Sequence, residues 1–217
     1  MILSPALAKF AACCLAFLLL SPAAAQERVP ARPDREYRLI EPRPVAGGER
    51  IEVIEFFWYG CPYCHELQPL LEAWLARRAS DIVLHRVPAL LSDARVPHAR
   101  IYYALEALGE LGRLHQQVYR DYHPQLLPLG SPDAAAQWAV RQGIDRARWI
   151  AAYQSEEVSR KVQQAQELTK LYDVRGTPTL VVDGRYLTSS GMAGGVRNLM
   201  PVADELVRIA RQRRAER

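Results

Sequence analysis

The clearest indications of the fold lie in residues 51–75, which read IEVIEFFWYGCPYCHELQPLLEAWL. Ile51–Phe57 places apolar residues on both faces of the backbone, which predicts a buried strand. Pro62 suits the first position of a helix, and apolar residues then recur at helical spacing: Leu67, Leu70, Leu71, Trp74 and Leu75. Cys61 and Cys64 therefore lie at the carboxyl end of a strand and the amino end of a helix, with Cys64 in the first turn of that helix.

The rest of the chain predicts a βαβ unit followed by helices and a hairpin. Ile82–Val87 is a second apolar strand that is rich in β-branched residues. Over 97–154 strand signals are scarce and apolar stripes at helical spacing predict a helical insert. A long helix is expected over about 155–172. Thr179–Val182 is predicted to be a strand, Asp183-Gly184 is a strong signal for a two-residue hairpin, and Arg185–Thr188 is the predicted return strand. A last amphipathic helix follows.

The first 25 residues have the pattern of a secretory signal peptide. Lys9 precedes an apolar run, Phe10–Leu20, of 11 residues. That length suits a signal-peptide core and is shorter than the roughly 20 residues of a membrane span. Ala23 and Ala25 form an A-x-A cleavage pattern, which makes Gln26 the first residue of the mature chain. We therefore expect export; an uncleaved membrane anchor is the alternative.

Charge and cysteine content narrow the function. A net charge of +4, from 28 basic and 24 acidic residues, is too small to indicate nucleic-acid binding. Cys13 and Cys14 leave with the signal peptide, so the mature chain keeps only Cys61 and Cys64. A disulfide between these two closes a very small ring and adds little stability. A lone C-x-x-C pair in an exported protein therefore indicates redox chemistry or metal binding.

The position of the pair favours redox chemistry. A thiol attacks a disulfide as its thiolate, and a helix amino terminus stabilises negative charge through its unpaired N–H groups and its dipole. We expect Cys61 to form the mixed disulfide and Cys64, one turn further into the helix, to resolve it. His65 adjoins Cys64, but the histidines lack the tight spacing of zinc ligands, so no metal is expected.

Several motifs together resemble the DsbA family of periplasmic disulfide oxidases, members of the thioredoxin superfamily. The resemblance covers about Tyr37 to the last helix. Its motifs are Glu55-Phe56-Phe57 before Cys61-Pro62-Tyr63-Cys64, Pro69 inside the following helix, the helical block, Val174-Arg175-Gly176-Thr177-Pro178-Thr179, and a V-x-G-x-Y hairpin at Val182, Gly184 and Tyr186.

The resemblance implies an α/β protein, with a thioredoxin fold interrupted by an inserted helical domain. A flexible leader is expected over 26–36. The thioredoxin domain is expected to comprise 37–96 and 155–217, with the helical insert over 97–154 between them.

The resemblance also implies roles for residues outside the cysteine pair. It implies that the Thr177–Pro178 peptide bond is cis, so that Pro178 lies beside Cys61 and Thr177 offers its backbone to an extended client peptide. A trans proline that opens an edge strand is the alternative. Glu55 is implied to be a buried acid that moves protons to or from Cys64, with a strand-end acid that reaches solvent as the alternative.

One departure from the family pattern concerns the dipeptide between the cysteines. DsbA proteins commonly carry histidine there, whereas this chain has Pro62-Tyr63, which is also the glutaredoxin motif. A tyrosine offers a hydroxyl or a ring edge but no positive charge, so we predict weaker thiolate stabilisation than in histidine-containing relatives. His65 is a candidate to compensate. Trp58 and Tyr59 flank the motif and are candidates to line a client-binding surface, with Trp58 packed in the core as the alternative. His65 is a further candidate substrate-binding residue, with a position facing water as its alternative.

The implied function is oxidation of cysteine pairs in newly exported proteins by donation of the Cys61–Cys64 disulfide. The implied partner is a DsbB-type, quinone-linked membrane oxidase that restores the disulfide. We expect no soluble cofactor, no nucleic-acid partner and a monomer located in the periplasm. The alternatives are a periplasmic reductase or isomerase that uses the same pair, a glutaredoxin-like glutathione enzyme, and a metal-binding chaperone without enzymatic activity.

Overall fold

A five-stranded sheet forms the centre of the protein. The computed structural model describes residues 31–78, 80–125 and 127–216, so the predicted signal peptide and residues 26–30 of the predicted leader lie outside the described residues. The strands are β1 (Arg38–Leu39), β2 (Ile51–Phe57), β3 (Ile82–Pro88), β4 (Thr179–Val182) and β5 (Tyr186–Ser189). Their order in the sheet is β1-β5-β4-β2-β3.

The strand β2, which leads to the cysteines, lies in the interior of this sheet. It pairs in parallel with β3 and antiparallel with β4, and all seven of its residues are buried. Ile51 and Val53 belong to one core cluster, whereas Ile54 and Phe56 belong to a second. Burial on both faces explains why β2 has no alternation of polar and apolar residues.

Helices cover both faces of the sheet. On one face lie α1 (Pro62–Arg78) and the last helix, α7 (Val196–Ala215), which share a core with Ile51 and Val53. On the other face lies a helical block that follows a 3₁₀ turn over Asp93–Arg95. The block comprises α2 (Val96–Ala107), α3 (Leu111–Gln125), α4 (Pro132–Arg141) and α5 (Arg146–Tyr153), and it is followed by α6 (Glu156–Leu171). The predicted α/β architecture with helices inserted after β3 is confirmed.

Local sequence signals explain most element boundaries. Pro62 is the first residue of α1, as the absence of a backbone N–H at the first helical position favours. The side chains of Ser131, Asp145 and Ser155 cap α4, α5 and α6 by accepting backbone hydrogen bonds. No helix in the described ranges is long and apolar enough to cross a membrane.

Several predicted boundaries differ from the structure, and β3 ends at Pro88 rather than Val87. The return strand of the hairpin begins at Tyr186 rather than Arg185, because the Arg185 N–H closes the turn onto Val182 O at 3.1 Å. Asp183 and Gly184 form the turn with φ of 53° and 59°, a conformation that Gly and Asp tolerate better than most residues. Residues 31–36, within the predicted leader, form a turn with an Arg32–Glu36 ion pair.

A buried carboxylate fastens the hairpin to the last helix. The side chain of Asp183 is only 1 % exposed. It accepts a hydrogen bond from Arg213 Nη2 at 2.8 Å and further hydrogen bonds from Arg214. The other terminal nitrogen of Arg214 donates to Gly48 O at 2.8 Å. Asp183 thus joins the end of α7 to the β4–β5 turn and to the loop before β2, at the end of the sheet opposite to the cysteines.

We expect Asp183→Asn to lower the free energy of unfolding by about 2–4 kcal/mol, because the substitution leaves two partly buried guanidinium groups without their carboxylate. Asparagine tolerates the positive φ of this position, so backbone strain does not contribute. Asp133→Asn is the matched control, since Asp133 is an exposed acid that is also paired with an arginine. Urea unfolding that shows equal losses for the two variants would contradict this account.

Candidate active site

The cysteine pair lies where β2 passes into α1. A tight turn over 58–60 separates the strand from the helix, and the Cys61 N–H donates to Trp58 O at 3.0 Å. Cys61 is 7 % exposed and Cys64 is fully buried. Both are free thiols, so the structure describes the reduced protein, with Cys61 as the more accessible sulfur.

Hydrogen bonds to the sulfur of Cys61 favour its ionised form. They lower its pKa to about 5; the largest contribution is the Cys64 side chain, and Thr177 and the backbone N–H groups of Tyr63 and Cys64 add to it against the effect of burial. When protonated, the Cys61 Sγ donates to Thr177 O at 3.2 Å. At neutral pH Cys61 is therefore a thiolate.

Cys64 has the opposite character. Burial raises the pKa of its thiol well above the ordinary value, and the hydrogen bond to Cys61 and the charge on Cys61 raise it further. At neutral pH the pair is thus one thiolate and one thiol that share a hydrogen bond. This is the charge state that the helix-terminus argument predicts, with the negative charge on the outer sulfur.

Glu55 lies beneath the pair with its carboxyl fully buried. It accepts hydrogen bonds from Arg86 Nε at 3.0 Å and from Gln68 Nε2 at 2.9 Å. Burial raises the pKa of this carboxyl, although Arg86 and Gln68 oppose the rise. Gln68 Nε2 also lies 3.3 Å from Cys64 O. The alternative that Glu55 is a strand-end acid reaching solvent is wrong.

Arg86 and Gln68 are site residues that were not predicted from the sequence. Arg86 is on β3 directly opposite Glu55 in the parallel register, and it also bonds Glu72 at 2.9 Å. The available signal for Arg86 was a charged residue in the apolar strand next to the acid-bearing one. Gln68 is four residues after Cys64, so it lies on the same face of α1, but this spacing gives no indication of its role.

The loop before β4 lies against Cys61. The Thr177–Pro178 peptide bond is cis, as the resemblance implies, so the alternative of a trans proline is wrong. Thr177 O contacts the Cys61 sulfur, and the Thr179 hydroxyl donates to Gly176 O at 2.8 Å. The structure therefore brings Thr177 and Pro178 to the cysteine pair from more than 100 residues away in the sequence.

His65 does not act as the compensating cation. Its ring stacks on those of His123 and Tyr119, with centroids 4.9 Å and 5.6 Å away. Burial lowers its pKa, and the charges of His123 and Arg120 lower it further. His65 is consequently neutral at pH 7 and supplies no positive charge to the thiolate.

Trp58 packs against the core and is only partly exposed. Its ring stacks on that of His98 at 5.8 Å, and the Arg95 guanidinium lies 4.5 Å from the ring centroid. The next residue, Tyr59, is fully buried and its hydroxyl contacts His115 Nδ1 at 2.9 Å. Trp58 therefore has both a core-facing side and a side at the edge of the site.

The remaining groups of the site differ in accessibility. Tyr63, in the dipeptide between the cysteines, is 58 % exposed, so its side chain is available to a client protein. Within residues 31–78, 80–125 and 127–216, no three His, Cys, Asp or Glu side chains are grouped so that they could hold a metal ion.

Comparisons with known proteins agree with this geometry. The model of the DSBA-like thioredoxin domain family matches residues 79–207. The thiol:disulfide interchange protein DsbA of Burkholderia cepacia is 38 % identical over 168 residues, which are 77 % of this chain and 79 % of that protein. The protein of the same name from Azotobacter vinelandii is 35 % identical over 164 residues, 76 % of this chain and 77 % of that protein.

Solved structures give the same result. The crystal structure of Pseudomonas aeruginosa DsbA superimposes with a TM-score of 0.78 at 31 % identity, covering 84 % of this chain and 95 % of that one. The oxidoreductase DsbA from Xylella fastidiosa superimposes with a TM-score of 0.75, also at 31 % identity, covering 82 % of this chain and 96 % of that one.

We expect Cys64→Ala to raise the pKa of Cys61 by about one unit, because it removes the largest hydrogen bond to the thiolate. The rate of alkylation of Cys61 by iodoacetamide, measured against pH, reports this pKa. In the wild type the rate should reach half its plateau at about pH 5 and fall at lower pH. Cys64→Ser retains a hydrogen-bond donor, so the pKa of Cys61 in this variant should lie between those in the wild type and in Cys64→Ala. Identical midpoints for wild type and Cys64→Ala would refute the assignment.

Proposed function

This chain belongs to the DSBA-like thioredoxin domain family, and from that membership we propose that it donates its Cys61–Cys64 disulfide to reduced, newly exported proteins. It is a thiol–disulfide oxidoreductase with a thioredoxin fold and an inserted helical domain. The observation that carries the proposal is the charge asymmetry of the reduced pair, with a stabilised thiolate at Cys61 and a thiol at Cys64.

The donation consists of two exchanges. A client thiolate attacks Cys61 Sγ, the Cys61–Cys64 bond breaks, and Cys64 leaves and takes up a proton. A second client thiolate then attacks the client sulfur of the mixed disulfide, and Cys61 leaves as a thiolate. Two electrons pass from the client to the pair, and the client gains one disulfide. A low pKa of Cys61 accelerates the second exchange, because a more acidic thiol is a better leaving group.

The same charge sets the direction of the reaction. Stabilising the Cys61 thiolate stabilises the reduced protein and makes its disulfide more oxidising. Because the pKa in the folded state is lowered, this stabilisation is complete above the pKa of an unfolded thiol, about 8.5. It decreases as the pH falls and is lost below about pH 5. In acid, the Cys61 thiolate therefore no longer stabilises the reduced form relative to the oxidised form.

Glu55 is proposed to exchange protons with Cys64. Cys64 must gain a proton when it leaves the disulfide, and it is buried away from solvent. Glu55 is a buried acid whose pKa is raised by burial, which favours the protonated carboxyl that could give its proton to Cys64. Gln68, hydrogen-bonded to Glu55 and lying near Cys64 O, connects the acid to the segment that carries the thiol.

Client proteins are proposed to bind as extended peptides along the loop before β4. Thr177 and Pro178 lie beside Cys61, where a backbone carbonyl can pair with a peptide in the manner of an added strand. Tyr63, which is exposed, and the accessible sides of Trp58 and His65 extend this surface. This arrangement recognises backbone rather than sequence, which suits an enzyme with many clients.

Export and reoxidation complete the proposal. The segment 1–25 is proposed to direct the chain to the periplasm and to be cleaved before Gln26. A DsbB-type, quinone-linked membrane oxidase is proposed to restore the Cys61–Cys64 disulfide. No observation on the described residues or on the relatives favours a reductase, an isomerase or a metal-binding chaperone.

The oxidised wild type should transfer one disulfide per molecule to a reduced, unfolded model protein, and both Cys61→Ala and Cys64→Ala should transfer none. The two variants differ in a second assay. With a disulfide-containing client, Cys64→Ala should accumulate a mixed disulfide, whereas Cys61→Ala should not, because only Cys61 attacks. Mass spectrometry of quenched mixtures measures both outcomes. A wild type that reduces clients and fails to oxidise them would overturn the proposal.

A further inference from the structure

An arginine from the 3₁₀ turn before the helical block lies over Trp58, three residues before Cys61. Arg95 ends the 3₁₀ turn and directly precedes α2. Its guanidinium lies 4.5 Å from the ring centroid of Trp58, which is a cation–π contact. Trp58 is in turn tied to the site, because its carbonyl accepts the hydrogen bond from the Cys61 N–H. The indole ring thus holds a positive charge beside the turn that carries Cys61.

This position is unfavourable for an arginine on local grounds. Arg95 occupies the amino-terminal cap of α2 without a capping hydrogen bond, where the helix dipole repels a cation. Its Nη1 is buried and has no hydrogen-bond partner. Among the described residues no carboxylate forms an ion pair with it; Asp93, on the same turn, remains exposed. A partly buried cation without an anionic partner requires an offsetting interaction.

The reduced cysteine pair supplies a negative charge that interacts with Arg95. Burial lowers the pKa of the guanidinium, and electrostatic interaction with Cys61, followed by that with Cys64, acts in the opposite direction. The interaction is present only when a sulfur is ionised. In the disulfide state both sulfurs are neutral, so Arg95 retains the cation–π contact with Trp58 but loses the interaction with a charged sulfur.

Several other titratable groups around the pair do not supply this charge. His65 and His98 are neutral at pH 7, because burial lowers the pKa of both, that of His98 to about 4. Arg86 is engaged by Glu55 and Glu72. Tyr119, from α3, and Glu55, from β2, contribute no positive charge. Tyr63 occupies the dipeptide position at which the family commonly carries histidine.

We propose that Arg95, held on the Trp58 ring, supplies the positive charge that stabilises the Cys61 thiolate in this protein. Arg95 is a positioning residue that acts on the sulfur through space. Its charge favours the reduced state over the disulfide and makes the pair a stronger oxidant. The inference rests on the proposed role of Cys61 as the reacting thiol, and it predicts that the 3₁₀ turn before the helical block contributes to the redox chemistry.

Arg95→Met tests this inference, with Arg95→Lys as the variant that retains the charge. Arg95→Met should raise the pKa of Cys61 by about 0.5–1 unit, measured from the ultraviolet absorbance of the thiolate against pH. The equilibrium with glutathione should shift threefold to tenfold towards the disulfide, which is about 15–30 mV. Arg95→Lys should restore most of both values. Arg141→Met, which removes an exposed arginine from α4, should change neither.

A folded Arg95→Met protein with an unchanged Cys61 pKa would overturn the inference, even if its stability were reduced. Near-ultraviolet circular dichroism establishes the fold, and Arg95→Gln replaces the methionine variant if the latter does not fold. The test is separable from that of the proposed function. A wild type that fails to oxidise clients would refute the function, whereas the pKa difference between wild type and variant would still decide the role of Arg95.

Discussion

A single negative charge on the sulfur of Cys61 is the feature on which the chemistry of this protein depends. The end of β2 and the start of α1 place that sulfur among backbone N–H groups, the Cys64 thiol donates to it, and hydrogen bonding with Thr177 also lowers its pKa. The charge has no counterpart in the disulfide state. Every group that stabilises it therefore shifts the equilibrium towards the reduced pair, and so increases the tendency of the oxidised protein to pass its disulfide on.

Few of the ionisable groups around the pair place a further charge next to the Cys61 thiolate. Burial keeps His65, His98 and His115 neutral at pH 7. Below the pair, Glu55 is held between Arg86 and Gln68 in the layer between β2, β3 and α1. The aromatic and histidine rings fill the junction between the sheet and the helical block, so the block forms one wall of the site and provides more than a cover for the sheet.

Much of the fold and the centre of the site could be predicted from the sequence. The bounds of β2 and β4 match the prediction, because a run of apolar residues ended by Gly or Pro is a local signal. The roles proposed for the two cysteines follow from a single rule about helix termini. The α/β class follows from the order of the elements, and the cis bond before Pro178 was implied by the family resemblance alone.

What the sequence did not reveal depends on contacts between distant residues. Arg86 becomes a neighbour of Glu55 only through the parallel register of β2 and β3. Arg95 becomes a neighbour of Trp58 only through the position of the 3₁₀ turn. His65 was a candidate cation until its ring was placed against His123, 58 residues later in the chain, where burial keeps it neutral. These pairings follow from tertiary packing, which no local pattern encodes.

The reduction potential of the wild-type Cys61–Cys64 pair is the measurement that shows whether the protein is a disulfide donor. Equilibration of the purified mature protein with glutathione buffers gives the potential, and unfolding of the two redox states gives their relative stability. The account predicts a potential well above that of thioredoxin, about −270 mV, with the reduced form more stable than the oxidised form. A potential close to that of thioredoxin, with the oxidised form more stable, would contradict the assignment of a disulfide donor.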